Sequence, residues 1–313
     1  MNIREATLRD IPKIIPVLKA SLGEKDLPLS EEIWNFKHVE NPFGKSLVLI
    51  AVENDEIIGV RAFMRWELYK EGKKYNCFRA VDTATHPKHQ GKGVFKKLTL
   101  KAVEIAKEQK DDFIFNFPNE KSRPGYLKMG WKKAGELEVA LKPSFTSFWK
   151  FYKNPINYSV EYKVSPKDLD KLCYKWNKKI ENRNGLYTKK SHQYLEWRFE
   201  KNPLLQYEVL ATKDFYLSGC LKNRKGIKEL RITECIYWNI DSLKEVKKGI
   251  NRWACKFGVQ FISFSPKLLT MLSYKGQIGP ILTVKDLNLR SDEKDSFLEI
   301  KNWQYSLGDL ELF

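Results

Sequence analysis

The ten residues His86-Pro87-Lys88-His89-Gln90-Gly91-Lys92-Gly93-Val94-Phe95 separate two stretches of different hydrophobic period. Before them, Tyr75 to Thr85 alternates as an extended run. After them, Val94 to Gln109 places Phe95, Leu98, Ala102, Ile105 and Ala106 on one face, with Lys96, Lys97, Lys101 and Lys107 largely elsewhere, so an amphipathic helix of about four turns is expected. Glycines at the junction let the backbone approach a ligand closely, and the first N–H groups of a helix point outward with the positive end of its dipole. The segment therefore reads as a pyrophosphate cradle with Lys88, Lys92, Lys96 and Lys97 at its rim. A glycine turn between strand and helix is also common without any ligand. No Gly-Lys-Ser/Thr follows and no three-glycine fingerprint is present, which excludes a nucleotide P-loop and a dinucleotide-binding turn.

Working toward the N-terminus, the run Ser46 to Val52 and the run Ile57 to Met64, separated by Glu53-Asn54-Asp55-Glu56, read as a hairpin. Arg65 to Tyr69 reads as a third run that turns at Glu71-Gly72 and returns as Tyr75 to Thr85, giving an antiparallel meander. The chain opens with a short strand, Ile3 to Thr7. A helix follows Asp10, carries Ile11, Ile14, Ile15 and Leu18, and stops near Gly23; Pro16 should kink or shorten it. Toward the C-terminus, Asp112 to Phe117 is a compact strand, followed by a short helix around Gly125 to Met129 and a strand, Lys133 to Leu141. Strand, loop, helix and strand predict a crossover unit with two parallel strands.

Pro143 to Pro155, with Phe145, Phe148, Trp149, Phe151 and Tyr152, reads as a connector, and beyond it the pattern starts over. Val160 to Val164 with Asp168, Leu169 and Leu172 echoes Ile3 to Thr7 with Asp10, Ile11 and Ile14. Trp197 to Asn202-Pro203 echoes Trp34 to Asn41-Pro42, and Phe261 to Pro266 with Tyr274-Lys275-Gly276 echoes Phe113 to Pro118 with Lys128-Met129-Gly130. Two copies of one fold, related by a degenerate repeat, are expected, 1–145 and 156–313. Coincidence among aromatic-rich strands is the other explanation.

Composition bounds the function. A length of 313 residues with 42% hydrophobic content fills about two domains. No apolar run approaches the roughly 18 to 20 residues that span a bilayer, and the start Met1-Asn2-Ile3-Arg4-Glu5 has no apolar block, so a soluble cytoplasmic protein is expected. Fifty-six Lys and Arg against thirty-nine Asp and Glu give +17, which suits a polyanion or simply a lysine-rich solvated surface. Five cysteines, Cys77, Cys173, Cys220, Cys235 and Cys255, are odd in number and widely spaced, so no disulfide frame or zinc knuckle is indicated and all read as buried thiols.

The string Gln90-Gly91-Lys92-Gly93-Val94-Phe95 resembles the acyl-CoA pyrophosphate loop of the GNAT N-acetyltransferase superfamily, Gln/Arg-x-x-Gly-x-Gly/Ala. Asn119, Ser122 and Tyr126-Leu127-Lys128-Met129-Gly130-Trp131 resemble that family's second signature, an Asn followed seven residues later by Tyr in a Tyr-x-x-x-Gly-Phe-like run. The likeness covers roughly residues 1 to 142. Its one departure is Phe95, where the family prefers Gly or Ala; a large side chain there is expected to turn into the core. The second half is similar only in outline, since no glycine loop precedes its helix, Ser242 to Phe257. Trp-Arg-Phe with Asn-Pro, and Trp303 to Asp309, are also similar to tandem acetyltransferase-like proteins encoded with bacterial surface-polysaccharide genes.

The resemblance implies a mixed α/β (α+β) sheet in tandem GNAT-like copies, and acyl transfer from acetyl-CoA or a related acyl-CoA to a primary amine by direct attack in a ternary complex, without metal. It implies that Gln90, Gly91, Lys92, Gly93, Val94 and Phe95 hold the diphosphate. The strand Val81 to Thr85 would pair with the pantetheine arm, the N–H of Thr83 holding the thioester oxygen and Thr85 the arm. Tyr126 would act as general acid toward the departing thiolate, or be a core tyrosine. Asn119 would bind the cofactor arm or cap the short helix. Asp82 would draw a proton from the acceptor or position it, unless it is paired with Arg79 or Arg61. His86 and His89 read as helix-entry or solvent residues rather than bases, and Glu120 as an outside candidate base. No Ser-His-Asp or Cys-His pairing is expected. Trp34, Phe36, Trp66, Trp197 and Arg198 are candidates for lining an acceptor site, the acceptor being an amino sugar or sugar nucleotide of a surface glycan. Two rivals stand beside this reading: a Fem-type transferase that takes its acyl group from aminoacyl-tRNA, the one nucleic-acid partner considered, and a non-enzymatic basic module that holds CoA or phosphate.

Overall fold

The computed structural model describes residues 1–22, 30–144, 157–162, 164–224 and 226–310. The first part of the chain forms β1 (Asn2–Glu5), α1 (Ile11–Leu22), α2 (Glu31–His38), β2 (Leu47–Glu53), β3 (Glu56–Lys70), β4 (Lys73–Thr85), α3 (Val94–Glu108), β5 (Phe113–Asn116), α4 (Arg123–Lys128) and β6 (Lys132–Pro143). The second forms β7 (Val160–Tyr162), α5 (Pro166–Glu181), β8 (Leu186–Tyr187), α6 (His192–Leu195), β9 (Glu208–Ala211), β10 (Phe215–Arg224), β11 (Ile227–Tyr237), α7 (Ile240–Phe257), β12 (Phe261–Phe264), β13 (Tyr274–Asp286), α8 (Lys294–Phe297), β14 (Trp303–Gln304) and α9 (Leu307–Leu310). The connector expected at Pro143 to Pro155 falls almost wholly in 145–156, outside the described residues, as does the expected end of α1 at Gly23.

The chain gathers into two compact units that exchange segments. The first comprises Met1–Leu68, Lys73–Gly135 and Pro280–Ile300; the second comprises Tyr69–Gly72, Glu136–Gly279 and Lys301–Phe313. In the first unit the strand order is β1-β2-β3-β4-β5, and the far edge of β5 is taken by the end of β13. β1 and β2 pair antiparallel, as do β2 and β3 across a tight turn in which Asn54 and Asp55 both adopt left-handed φ (49° and 62°). In the second unit the order from one edge is β6-β12-β11-β10-β9-β7.

Three expectations need correction. The run Arg65 to Tyr69 is no separate strand: it continues Ile57 to Met64 in the 15-residue β3. α1 runs through Pro16, which lies on its exposed face while Ile11, Ile14, Ile15, Val17 and Leu18 are buried on the other; the packing of that face outweighs the hydrogen bond proline removes. The expected pairing of β5 with β6 is replaced. β5 pairs parallel with β4 and antiparallel with β13, Asn116 opposite Thr283 and Phe113 opposite Asp286. Local order could suggest a crossover but not that a strand some 167 residues away would take the edge.

α3 is seated by its apolar stripe. Val94, Leu98, Ala102 and Ala106, four apart, pack in one cluster with Phe78, Ile114, Tyr126 and Trp131. Burial of each larger side chain contributes about 1.5–3 kcal/mol. Gly59 of β3 makes the approach close, since a Cβ there would lie 2.6 Å from Val94 Cγ1 and 3.0 Å from Leu98 Cδ1. The helix is thereby set with its first turn at the end of β4.

Candidate active site

The leading edge of α3 is bare. Gly93, the residue before the first turn, has φ 75° and supplies no side-chain cap, and no acidic residue lies in that turn, which instead carries Lys96 and Lys97. Gly91 is also left-handed (φ 77°), a conformation that L side chains rarely adopt. A Cβ on either glycine would meet nothing within 4 Å, so the corner is open rather than filled. Among the described residues, no backbone hydrogen bond uses the N–H groups from Gly91 to Lys96; the first runs from Lys97 N–H to Gly93 O at 3.0 Å. Gln90 fixes the corner from the other side, its Nε2 donating to Thr85 O at 3.2 Å. Buried Val94 anchors the turn. Phe95 turns into the protein, its ring edge-on to Tyr126 at 5.6 Å and against Gly125, where a Cβ would lie 3.3 Å from the Phe95 ring.

Beside this corner β4 parts from β5. Their pairing covers only Cys77–Phe113, Phe78–Ile114 and Arg79–Phe115, and beyond Arg79 no described strand takes that edge of β4. Asp82 breaks the strand with φ 34°. Past the break, His86 N–H donates to Ile58 O of β3 at 2.9 Å. Because successive peptide groups of a strand point to opposite sides, the N–H groups of Thr85 and Thr83 face away from β3, toward the open edge. The Thr83 hydroxyl is turned back, donating to Val60 O at 3.4 Å.

Asp82 is not paired with Arg79 or Arg61. Its carboxylate contacts Lys37 Nζ and lies 2.9 Å from His38 Nε2, both on α2, whose start is capped by Ser30 Oγ accepting from Ile33 N–H at 3.2 Å. Burial pushes the Asp82 carboxyl up, but the Lys37 ammonium and then His38 outweigh it and hold it well below the usual carboxylate range. Burial holds the His38 imidazole below its ordinary value against the pull of Asp82, so at neutral pH it is uncharged. His38 Nδ1 meets Ser46 Oγ at 2.8 Å. A Ser46–His38–Asp82 chain therefore exists where the sequence suggested no Ser-His-Asp arrangement, because Asp82, 44 positions from His38, meets it only in the folded chain.

Tyr126, on α4, is buried. Its hydroxyl accepts from Arg61 Nη1 at 2.7 Å, and its ring lies edge-on to Trp131 at 5.2 Å. Asn119 stands before α4, its Oδ1 accepting from Ser122 N–H at 2.9 Å. His86 and His89 bracket the 3₁₀ turn Pro87–His89 that leads into the corner, and Glu120 is exposed. Trp34, Phe36 and Trp66 are buried in the first unit, Trp34 stacking 4.2 Å from the His38 ring; Trp197 and Arg198 are buried in the second, where Arg198 donates to Gly308 O and Tyr207 Oη. Four of the cysteines are buried, but Cys255 is exposed, on the outer face of α7.

Sequence reasoning missed Lys37, His38 and Ser46 and gave Arg61 only a pairing role. Arg61 had a signal: it interrupts the apolar run Ile57-Ile58-Gly59-Val60-Arg61-Ala62-Phe63-Met64. Among the described residues, no group of three or more His, Cys, Asp and Glu is placed to hold a metal, and no helix is long and apolar enough to cross a membrane.

Residues 2–134 match the family described as acetyltransferase (GNAT) domain. Solved structures share the fold at low identity. One from Enterococcus faecalis, described as a probable N-acyltransferase, is 12% identical with a TM-score of 0.67 over 92% of this chain and 73% of its own. A GCN5-related N-acetyltransferase from Anabaena variabilis is 13% identical with a TM-score of 0.65 over the same shares, 92% and 73%. Eis1 from Mycobacterium abscessus is 12% identical with a TM-score of 0.57 over 96% and 76%. No curated protein matches.

Proposed function

We propose that the chain, whose residues 2–134 match the acetyltransferase (GNAT) domain family, moves an acetyl or similar acyl group from acyl-CoA to a primary amine by direct attack in a ternary complex. The observation that carries this reading is the corner at Gly91 and Gly93: open space over two left-handed glycines, and six successive N–H groups with no backbone acceptor. Such groups take an anion readily, and the diphosphate of CoA fits their number and the lysines around them. Gln90, Gly91, Lys92, Gly93, Val94 and Phe95 would form this seat, with Asn119 completing it. Thr83 and Thr85 would offer their outward N–H groups to the thioester oxygen and the pantetheine arm.

The thioester supplies an activated acyl carbon. Around it, Asp82 stays ionised and is too weak a base to hold a proton, so its part is to attract and orient the acceptor's ammonium. Uncharged His38 and the Ser46 hydroxyl continue from Asp82 as a path along which that proton leaves. Tyr126 gives a proton to the sulfur. An amino sugar or sugar nucleotide of a surface glycan is the acceptor we favour, and cytoplasmic acetyl-CoA the donor. The second half, 156–313, is read as a degenerate copy of 1–145, supported by a shared succession of strand, helices, three strands, long helix and strand.

Isothermal titration with acetyl-CoA and CoA tests the seat: saturable binding of both is expected, and absence of heat from the folded protein overturns the proposal. A screen of amines read by free thiol then identifies the acceptor. Retention of tRNA at physiological salt without CoA binding would favour transfer from aminoacyl-tRNA instead.

A further inference from the structure

Arg61 is a costly residue. It lies at 0% exposure in the middle of β3, and no carboxylate among the described residues pairs with it. Its Nε and Nη2 are buried with no hydrogen-bond partner among the described residues. Its guanidinium carbon sits over the rings of Phe63, Tyr126 and Phe95 at 4.7, 5.3 and 5.8 Å. Among the described residues its one side-chain hydrogen bond goes from Nη1 to the Tyr126 hydroxyl at 2.7 Å. A buried cation is ordinarily offset by an anion, and an apolar residue of similar length would fill this site without the desolvation cost. The aromatic faces return part of that cost, but they would pack as well around a methionine.

The geometry points to a negative charge that Arg61 meets only during turnover, on the oxygen of Tyr126. Because Nη1 occupies one lone pair of that oxygen as a donor, the phenol's own hydrogen is directed elsewhere and is free to be given away. This inference rests on the proposed role of Tyr126 as general acid. In that step the acceptor nitrogen bonds to the acyl carbon, the carbon–sulfur bond breaks, and the sulfur takes the proton from the Tyr126 hydroxyl. The phenolate left behind lies against a desolvated guanidinium, where opposite charges attract far more than in water. The proton lost by the amine balances the one gained by sulfur, and Tyr126 is reset from solvent. Arg61 is thus a positioning residue: it orients the phenol and stabilises its anion without touching substrate. It also accounts for Phe95, whose ring closes the third side of the guanidinium.

Steady-state kinetics with acetyl-CoA and an accepted amine, combined with acetyl-CoA titration, test this. Tyr126→Phe should lower kcat about 100-fold or more with the acetyl-CoA Kd within about twofold, in the range general-acid groups contribute. Arg61→Met should lower kcat about 10- to 100-fold, again with Kd little changed, and should lower it no further when added to Tyr126→Phe. Arg61→Lys, which keeps a cation, should recover most of the loss. Full-length Arg61→Gln, which keeps a donor but not the charge, serves if Arg61→Met does not fold, and should lose about 10-fold in kcat. Parent-like kcat in Arg61→Met or Arg61→Gln, or a loss that multiplies fully on that of Tyr126→Phe, overturns the inference while leaving Tyr126 in place. An unchanged kcat in Tyr126→Phe overturns the acid itself.

Discussion

α3 and α7 hold corresponding places in the two units, each following three strands, yet their first turns are finished in opposite ways. At α7, Asn239 Oδ1 accepts from Ser242 N–H at 2.9 Å and Ser242 Oγ accepts from Asn239 N–H at 2.9 Å, so the turn satisfies its own groups, with Asp241 adding a favourable charge. At α3 there is no cap, no acid and two left-handed glycines. The clefts behind the helices differ in the same sense. β11 pairs with β12 only as far as Arg231–Ser263. Beyond that point the segment Ser306–Asp309 fills the space: a Cβ on Gly308 would lie 2.9 Å from Thr233 O, and the cavity left among Ile232, Glu234, Phe264 and Ser306 is about 10 Å³. That is barely a water's worth. Lys190, buried, binds both Glu234 and Asp309 and locks that segment down. A helix start that completes itself needs no ligand. One left incomplete beside an open strand edge is stable only if water or a ligand serves it.

The contrast can be broken most sharply at Gly93. Valine there must adopt a strained φ and cover the outward amides, so Gly93→Val should raise the acetyl-CoA Kd about 100-fold or more by calorimetry, while the circular-dichroism spectrum stays native. Binding within threefold of parent would remove the seat from α3. Next comes the support of that helix. Gly59→Ala pushes a methyl into Val94 and should destabilise the protein by about 1–3 kcal/mol in denaturant titration, weakening CoA binding with it; a silent substitution would mean that α3 is not held where Val94 places it. In the second unit, Asn239→Ala should cost about 1 kcal/mol and leave acetyl-CoA affinity untouched. A change in that affinity would show that α7 takes part in binding.

The smallest effect concerns His38. Its folded value lies below the ordinary one of about 6.5, so below that pH the unfolded chain takes up a proton that the folded chain refuses. Stability is full above pH 6.5 and falls as the pH drops toward the lowered value. Asp82, also lowered, begins to contribute its own loss only nearer pH 4. Between pH 6.5 and about 4.5, His38→Gln should flatten the decline in unfolding free energy; an unaltered slope would place the titrating group elsewhere.

Much of the first unit was legible because its signals are local. The change from a period of two to one of 3.6 at residues 86–95 marks both the strand end and α3, and glycines at 91 and 93 mark the left-handed corner. Phe95 looked like a flaw in the loop and is the lid on Arg61, a compensation visible only once Gly125 is seen beneath its ring. The parts not legible depend on distant pairings. Lys37 and His38 are ordinary in a short polar helix until β4 brings Asp82 to them, and Thr283 gives no sign in sequence of lying against Asn116.

That last pairing bears on how the molecule is made. The strand that closes the far edge of β5 is synthesised late, Thr283 following Asn116 by 167 residues. Until then Phe113 to Asn116 have an open edge, and the unit holding the glycine corner is unfinished. A gene fragment ending near residue 144 would omit that strand, and its product would carry an apolar edge able to recruit other chains.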